Sequence, residues 1–306
     1  MSLHGLTHVT IAVPNPDETA DYYDDFGLTQ GRGLRFSTSE GGEQLRITSG
    51  PRRRLEELGV GADDADDVAR IASSLTALGY HLDVSTIDSL AATDPATGIR
   101  VRVAVAPRIQ QERVPATPYN GPGRVERLGR APGVLRGDRV RPRRLGHAVS
   151  GTPDLQGTMR FFVEGLGFQV SDYIGDKGAF LRCSTDHHNF LALAAPISYL
   201  HHTSWQVSDV DDVGRGAYAM LENNPERHVW GLGRHHAGSN FFWYLKDPAG
   251  NFSEYFADMD HIPEDELWTP ESLEGAKGLF NWGPPPPPSF LAPDDLAGLM
   301  TGAHSA

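Results

Sequence analysis

Residues 6–27 read LTHVTIAVPNPDETADYYDDFG, and residues 145–167 read LGHAVSGTPDLQGTMRFFVEGLG. Each runs as a short apolar stretch holding a histidine, a turn with Pro and Asp, a helical-period segment with paired aromatics, and a glycine stop. His8 thereby corresponds to His147. Two further anchors follow in the same order. GADDADDVARI from Gly61 matches VSDVDDVGRGA from Val207, and DPATG from Asp94 matches DPAG from Asp247. A duplicated unit fixes an architecture whatever local propensity suggests. Each half reads as two units in which a strand leads through a turn into a helix and the chain returns as short strands. RVRVAV ending at Val105 and NFFWYL ending at Leu245 supply the strand signal. The expected fold is an α+β pseudo-dimer of four βαβββ modules, paired into two tandem domains.

The expected boundaries are a first domain over 1–107, a linker over 108–144, a second domain over 145–262 and a tail over 263–306. The linker holds ten arginines against Glu112, Glu126 and Asp138, a local net charge of +7. Its prolines and glycines predict a surface connector pairing with acidic faces. The tail carries a polyproline run, Pro284 to Pro288, stiff and extended and placed to cover a pocket mouth. The chain of 306 residues is 39% hydrophobic, enough for a core, so disorder as the dominant state is excluded. A formal charge of −13 repels phosphate backbones and argues against nucleic acid as a partner. Charged residues or Gly interrupt every apolar run, so no membrane span is expected. The single cysteine, Cys183, excludes an intramolecular disulfide and a thiolate cage and fits a reducing cytoplasm.

Eight of the 13 histidines lie between positions 147 and 236, where an even spread would place about four. In a duplicated unit, the strands opening each module direct alternate side chains onto one concave sheet surface. His147 opens the third module, His202 the fourth, and Glu254 lies on the last strand of the fourth. Two imidazoles and a carboxylate converging from three strands make a facial triad with open coordination positions, a set suited to non-haem Fe(II) and next to Mn(II). In the first half His8 is retained, but Glu57 falls at the position of His202 and Arg102 at or beside that of Glu254. A guanidinium opposes a divalent cation. The first half is therefore expected to be a scaffold, with His8 structural.

The segment Gly233–Glu254, GRHHAGSNFFWYLKDPAGNFSE, resembles the signature of the type I extradiol ring-cleaving dioxygenases of the vicinal oxygen chelate superfamily, which shares its module with glyoxalases and bleomycin-resistance proteins. Biphenyl-2,3-diol, homoprotocatechuate and catechol 2,3-dioxygenases belong to that family. The similarity covers essentially the whole chain, including the tail LFNWGPPPPPSF, and departs mildly at Trp243. The resemblance implies His147, His202 and Glu254 as metal ligands, His187 as the acid/base histidine, and His235 with Tyr244 as the pair contacting the catecholate oxygens. A strand register shifted by one would substitute His188 for His187, or His201 or His236 for its neighbour. The implied reaction inserts both atoms of O2 into a catecholic substrate, in a homo-oligomeric enzyme. Two rivals stand beside it: a metal-dependent glyoxalase or epimerase, and a small-molecule-binding protein of the same fold.

Overall fold

The computed structural model describes residues 3–301. Two eight-stranded mixed sheets carry the fold. The first contains β1 (Leu3–Val13), β2 (Thr29–Gln30), β3 (Arg35–Thr38), β4 (Gly42–Ser49), β5 (Arg54–Ala62), β6 (Leu82–Ser85), β7 (Ser89–Thr93) and β8 (Arg100–Val105), with helices α1 (Pro16–Asp25) and α2 (Ala65–Ala77). After α3 (Pro132–Leu135) in the connector, the second contains β9 (Arg144–Thr152), β10 (Gln169–Ile174), β11 (Gly178–Arg182), β12 (Phe190–Ala194), β13 (Tyr199–Gln206), β14 (His228–Arg234), β15 (Phe241–Lys246) and β16 (Phe252–Ala257), with α4 (Leu155–Met159) and α5 (Val210–Leu221). The spatial orders, β2-β3-β4-β1-β5-β8-β7-β6 and β10-β11-β12-β9-β13-β16-β15-β14, are the same permutation. Four βαβββ modules in two tandem pairs are the architecture the repeats predicted.

Local chemistry explains the helix ends. The Asp64 and Asp209 carboxylates cap α2 and α5 by accepting from the backbone N–H of Asp67 and Asp212, each worth about 1 kcal/mol. Gly27 and Gly167 take positive φ, +102° and +83°, where the chain leaves the first and third helices, a conformation that a Cβ disfavours. The third module is one residue longer than the first between its histidine and this glycine. The extra residue is absorbed in a π-helical turn, Arg160–Gly165, that continues α4.

Register converts the sequence repeat into spatial equivalence. Glu57 lies opposite Thr10, two residues along β1 from His8, and His202 lies opposite Val149, two along β9 from His147. Across the parallel pairs, Gly59 faces Arg102 as Ser204 faces Glu254. Glu57 and Arg102 therefore occupy the positions of His202 and Glu254. Alternation along β8 buries Val101 and Val103 and turns Arg100 and Arg102 to the other face. There Glu57 accepts from His8 at 2.9 Å and from Arg100 at 2.6 Å, with Arg102 at 3.6 Å. The His8 hydrogen bond and the nearby guanidiniums hold the Glu57 carboxyl down at about 2. An ion cluster fills the place of a ligand set, and His8 is tied into it through Glu57.

The two halves share one hydrophobic core. Phe26 at the end of α1 stacks on Tyr255 of β16 with ring centroids 3.9 Å apart, and the Tyr255 hydroxyl donates to the Phe26 carbonyl at 2.5 Å. Such a pair contributes about 0.5–1.5 kcal/mol beyond its buried area. Connector arginines pair with acids on both halves, Arg108 with Asp63, Arg143 with Glu40, and Arg136 with Asp209 and Asp212. Among the described residues, no helix is long and apolar enough to cross a membrane. The tail runs over the second sheet and ends in α6 (Pro288–Leu291) and α7 (Leu296–Thr301).

Candidate metal centre

His147, Ser204 and Glu254 form one row across β9, β13 and β16, and His202 lies two residues along β13 on the same face. The geometry brings His147, His202 and Glu254 together, with their ligand atoms all within 4.8 Å of one another. All three are buried, at 1%, 4% and 0% exposure. Glu254 Oε2 lies 3.0 Å from His147 Nε2 and 3.7 Å from His202 Nε2. For metal–ligand bonds of about 2.1 Å at right angles, adjacent donor atoms fall about 3.0 Å apart. Glu254 Oε2 and His202 Nε2 are buried without a hydrogen-bond partner, a costly state unless a cation takes up their lone pairs. Two nitrogens and a carboxylate oxygen suit a divalent ion that accepts mixed N/O ligation.

Electrostatics prepare the same set. Burial alone would raise the Glu254 carboxyl, but the neighbouring His147 and His235 rings hold it well below the usual carboxylate range. Burial pushes His202 and His188 well down, with neighbouring imidazoles adding to the shift. A neutral imidazole at His202 and an ionised carboxylate at Glu254 are the protonation states a metal site requires of these two ligands.

The cluster opens into a cavity of about 340 Å³ with a largely apolar wall. Val149, Phe180 and Leu191 come from the sheet, Leu279, Phe290 and Leu291 come from the tail, and Lys177 is the one Lys or Arg on the lining. Tyr244 lies opposite Glu254 in the β15–β16 register, and its hydroxyl lies 2.9 Å from His235 Nε2. His235 Nδ1 donates to the Leu279 carbonyl, which leaves Nε2 to accept from Tyr244. The His235–Tyr244 pair thus lines the same cavity as His147 and His202.

The expected position of His187 is corrected. Its ring is wholly buried away from the cavity, with Nε2 donating to Asp172 at 3.0 Å and the Trp268 ring 5.2 Å away. His188 lines the cavity instead, its ring centroid 4.2 Å from that of His147. The cause is the turn between β11 and β12. Asn189 accepts from Cys183 and Ser184 and donates to the Gly146 carbonyl of β9, which clamps the turn and aims His188 inward. His187 stays attached through a ring contact, Nδ1 to Nδ1 at 3.0 Å. His202, not His201, belongs to the triad, and His236 lies off the cavity.

Sequence reasoning missed Asn240, whose amide donates to Glu254 Oε1 at 3.1 Å and orients the carboxylate. It missed Arg53 as well, 1% exposed, which forms a two-pronged ion pair with Asp295 of the tail at 2.7 and 2.8 Å. Neither carries a local sequence signal, since each acts across a long chain separation.

Residues 144–255 match the Glyoxalase/Bleomycin resistance protein/Dioxygenase superfamily. The chain is 33% identical to Metapyrocatechase 2 of Cupriavidus necator, the match spanning 95% of this chain and 92% of that protein. The chain belongs to the extradiol dioxygenase branch of this superfamily. This extradiol dioxygenase family member is also 24% identical to the Iron-dependent extradiol dioxygenase of Rhodococcus jostii strain RHA1, over 88% of this chain and 93% of that one. Among solved structures, the Mn(II)-bound glyoxalase from Novosphingobium aromaticivorans superposes with a TM-score of 0.72 at 25% identity, covering 94% of this chain and 93% of the other. Overall shape is therefore shared with a glyoxalase, and the residues around the triad must separate the two chemistries.

Proposed function

We propose that the protein is a non-haem Fe(II)-dependent extradiol dioxygenase, with Mn(II) as the alternative ion, that opens the ring of a catecholic substrate with O2 to give a semialdehyde or dienoate. The observation that carries this reading is the His147–His202–Glu254 cluster, open on one side to an apolar cavity where His188, His235 and Tyr244 also meet. When bound, the metal ion supplies joint binding of the diol and O2 and passage of electron density between them. With it, the ligand set carries a charge of about +1, which lowers the cost of deprotonating a phenol whose ordinary pKa is about 10.

The chain's own groups do the rest. The Tyr244 hydroxyl and His235, linked at 2.9 Å, hydrogen-bond the substrate oxygens and hold the ring in register with the open face. His188 Nε2, which carries the lone pair once Nδ1 donates to His187, takes up a proton released by the diol and returns it to the partly reduced oxygen as ring opening proceeds, a general acid–base task worth about 10² to 10⁴ in rate. His187, between Asp172 and His188, keeps that ring in place. The apolar wall excludes bulk water and strengthens each of these interactions. In this reading residues 145–262 carry catalysis, 1–107 serve as scaffold, 108–144 connect them and 263–306 close the cavity.

Glyoxalase chemistry has no use for the His188, His235 and Tyr244 group, which favours ring cleavage. The decisive experiment is anaerobic reconstitution with Fe(II), then mixing in air with catechol, 3-methylcatechol, 2,3-dihydroxybiphenyl and protocatechuate. Oxygen uptake with a new visible absorbance is the expected result. Silence across the panel from fully metallated protein overturns the assignment. The acidic charge and lone, buried Cys183 support a cytoplasmic location. A homo-oligomeric state belongs to the same reading, to be checked by sedimentation equilibrium.

A further inference from the structure

The two imidazoles of the cluster differ in what stands behind them. His147 Nδ1 is buried with no hydrogen-bond partner. His202 Nδ1 lies 2.7 Å from Nδ1 of His201, whose Nε2 lies 2.7 Å from the backbone carbonyl of Phe290. A carbonyl oxygen only accepts, so His201 Nε2 carries a hydrogen. In a neutral His201 the lone pair is then on Nδ1, so His202 Nδ1 must be the donor across the second contact. That leaves the lone pair of His202 on Nε2, the buried atom without a partner beside Glu254 Oε2. A tautomer set at a tail carbonyl is passed through two rings to the atom that faces the metal position.

We propose that His201 is a positioning residue for the metal ligand His202, and that the Phe290 carbonyl, held by the docked tail, sets the tautomer on which this depends. The inference rests on the reading of His147, His202 and Glu254 as a metal site. The relay is held firmly along its length. The His201 ring packs edge-on against those of Phe252 and Phe290, with centroids 5.2 and 4.8 Å away. The Phe290 carbonyl belongs to α6, which follows the polyproline run and is pinned on both sides. Trp230 Nε1 donates to the Pro284 carbonyl at 2.7 Å, and Asp295 is gripped by Arg53. A partner that fixes the tautomer and angle of a metal-bound histidine typically contributes about 10- to 100-fold in metal affinity.

The test compares wild type, His201→Phe, His201→Gln and Asp295→Ala as full-length apoproteins, titrated anaerobically with Mn(II) and followed by electron paramagnetic resonance. His201→Phe fills the space without polar atoms and is expected to weaken binding about 10- to 100-fold. His201→Gln keeps one donor and one acceptor and is expected to restore much of that loss, with a spectrum close to wild type. Asp295→Ala, which frees the tail from Arg53, is expected to weaken binding in the same direction by a few-fold. Wild-type affinity in His201→Phe, or equal losses in Phe and Gln variants, overturns the relay. Unchanged affinity in Asp295→Ala overturns the part assigned to the tail. Failure of wild type to bind Mn(II) or Fe(II) removes the metal site itself, a result distinct from the others.

Discussion

Replacing His188 with phenylalanine removes the imidazole that faces the cavity and leaves the three ligands untouched. Its ring lies 4.2 Å from that of His147, and its Nδ1 is engaged by His187, so Nε2 is the atom free to act on substrate. Loss of a general acid is worth about 10² to 10⁴ in turnover, or about 3 to 5 kcal/mol of barrier. His187→Phe acts differently. It takes the ring partner from the Asp172 carboxylate, leaving that group the backbone N–H of Glu271, and it frees His188 to rotate. Losing one such hydrogen bond predicts about a tenfold slower reaction and about 1–3 kcal/mol lower stability. The assay is single-turnover stopped flow on anaerobically loaded enzyme, with metal content and urea denaturation measured on the same samples. His188→Phe should keep its metal while losing the rate, at a cost of about 1–3 kcal/mol in stability because His187 Nδ1 is left buried without its partner. A fully active His188→Phe beside a dead but well-folded His187→Phe would falsify the assignment.

Tyr244→Phe removes the hydroxyl 2.9 Å from His235 and should lower kcat/KM about tenfold with metal content unchanged, which steady-state kinetics and metal analysis will check. Phe26→Ala deletes the ring stacked on Tyr255 between the halves and should cost about 3–5 kcal/mol in urea denaturation; a loss below about 1 kcal/mol would refute a shared core. Burial raises the Asp247 carboxyl to about 6 despite hydrogen bonds from Asn251 and Ala249. A raised carboxyl favours folding below its unfolded value near 4 and loses that contribution as pH rises through 6, on the order of 3 kcal/mol. Asp247→Asn should therefore gain on wild type between pH 4 and pH 7.5 in thermal melts, and a constant difference would count against it.

Legibility in the sequence followed the distance over which each feature is specified. The modules were visible because each strand, turn, helix and glycine stop is encoded within some twenty residues and then repeated. The same repeat carried enough register to match Glu57 with His202 and Arg102 with Glu254 across the two sheets. His187 and His188 could not be separated, because their turn lacks the alternation that fixes which side chain points inward. There the Asn189 contacts to Gly146, Cys183 and Ser184 decide, and they are set by folding. The tail's part was hidden for another reason. Leu279 and Phe290 act on His235 and His201 through backbone carbonyls, which every residue possesses and no side chain advertises.

Arg53 ties three distant pieces to one point. It belongs to the first half, yet its guanidinium reaches the Leu200 carbonyl on β13, the Asn251 side chain before β16, and Asp295 beyond α6. The half without the His-His-Glu cluster thus acts as a keystone of the half that holds it. Produced without the first half, the second half would lack this brace and bare the aromatic face of Tyr255 to water. Duplication here did not yield two independent units, one of them spare. It yielded a half holding the His-His-Glu cluster whose shape is braced by the other.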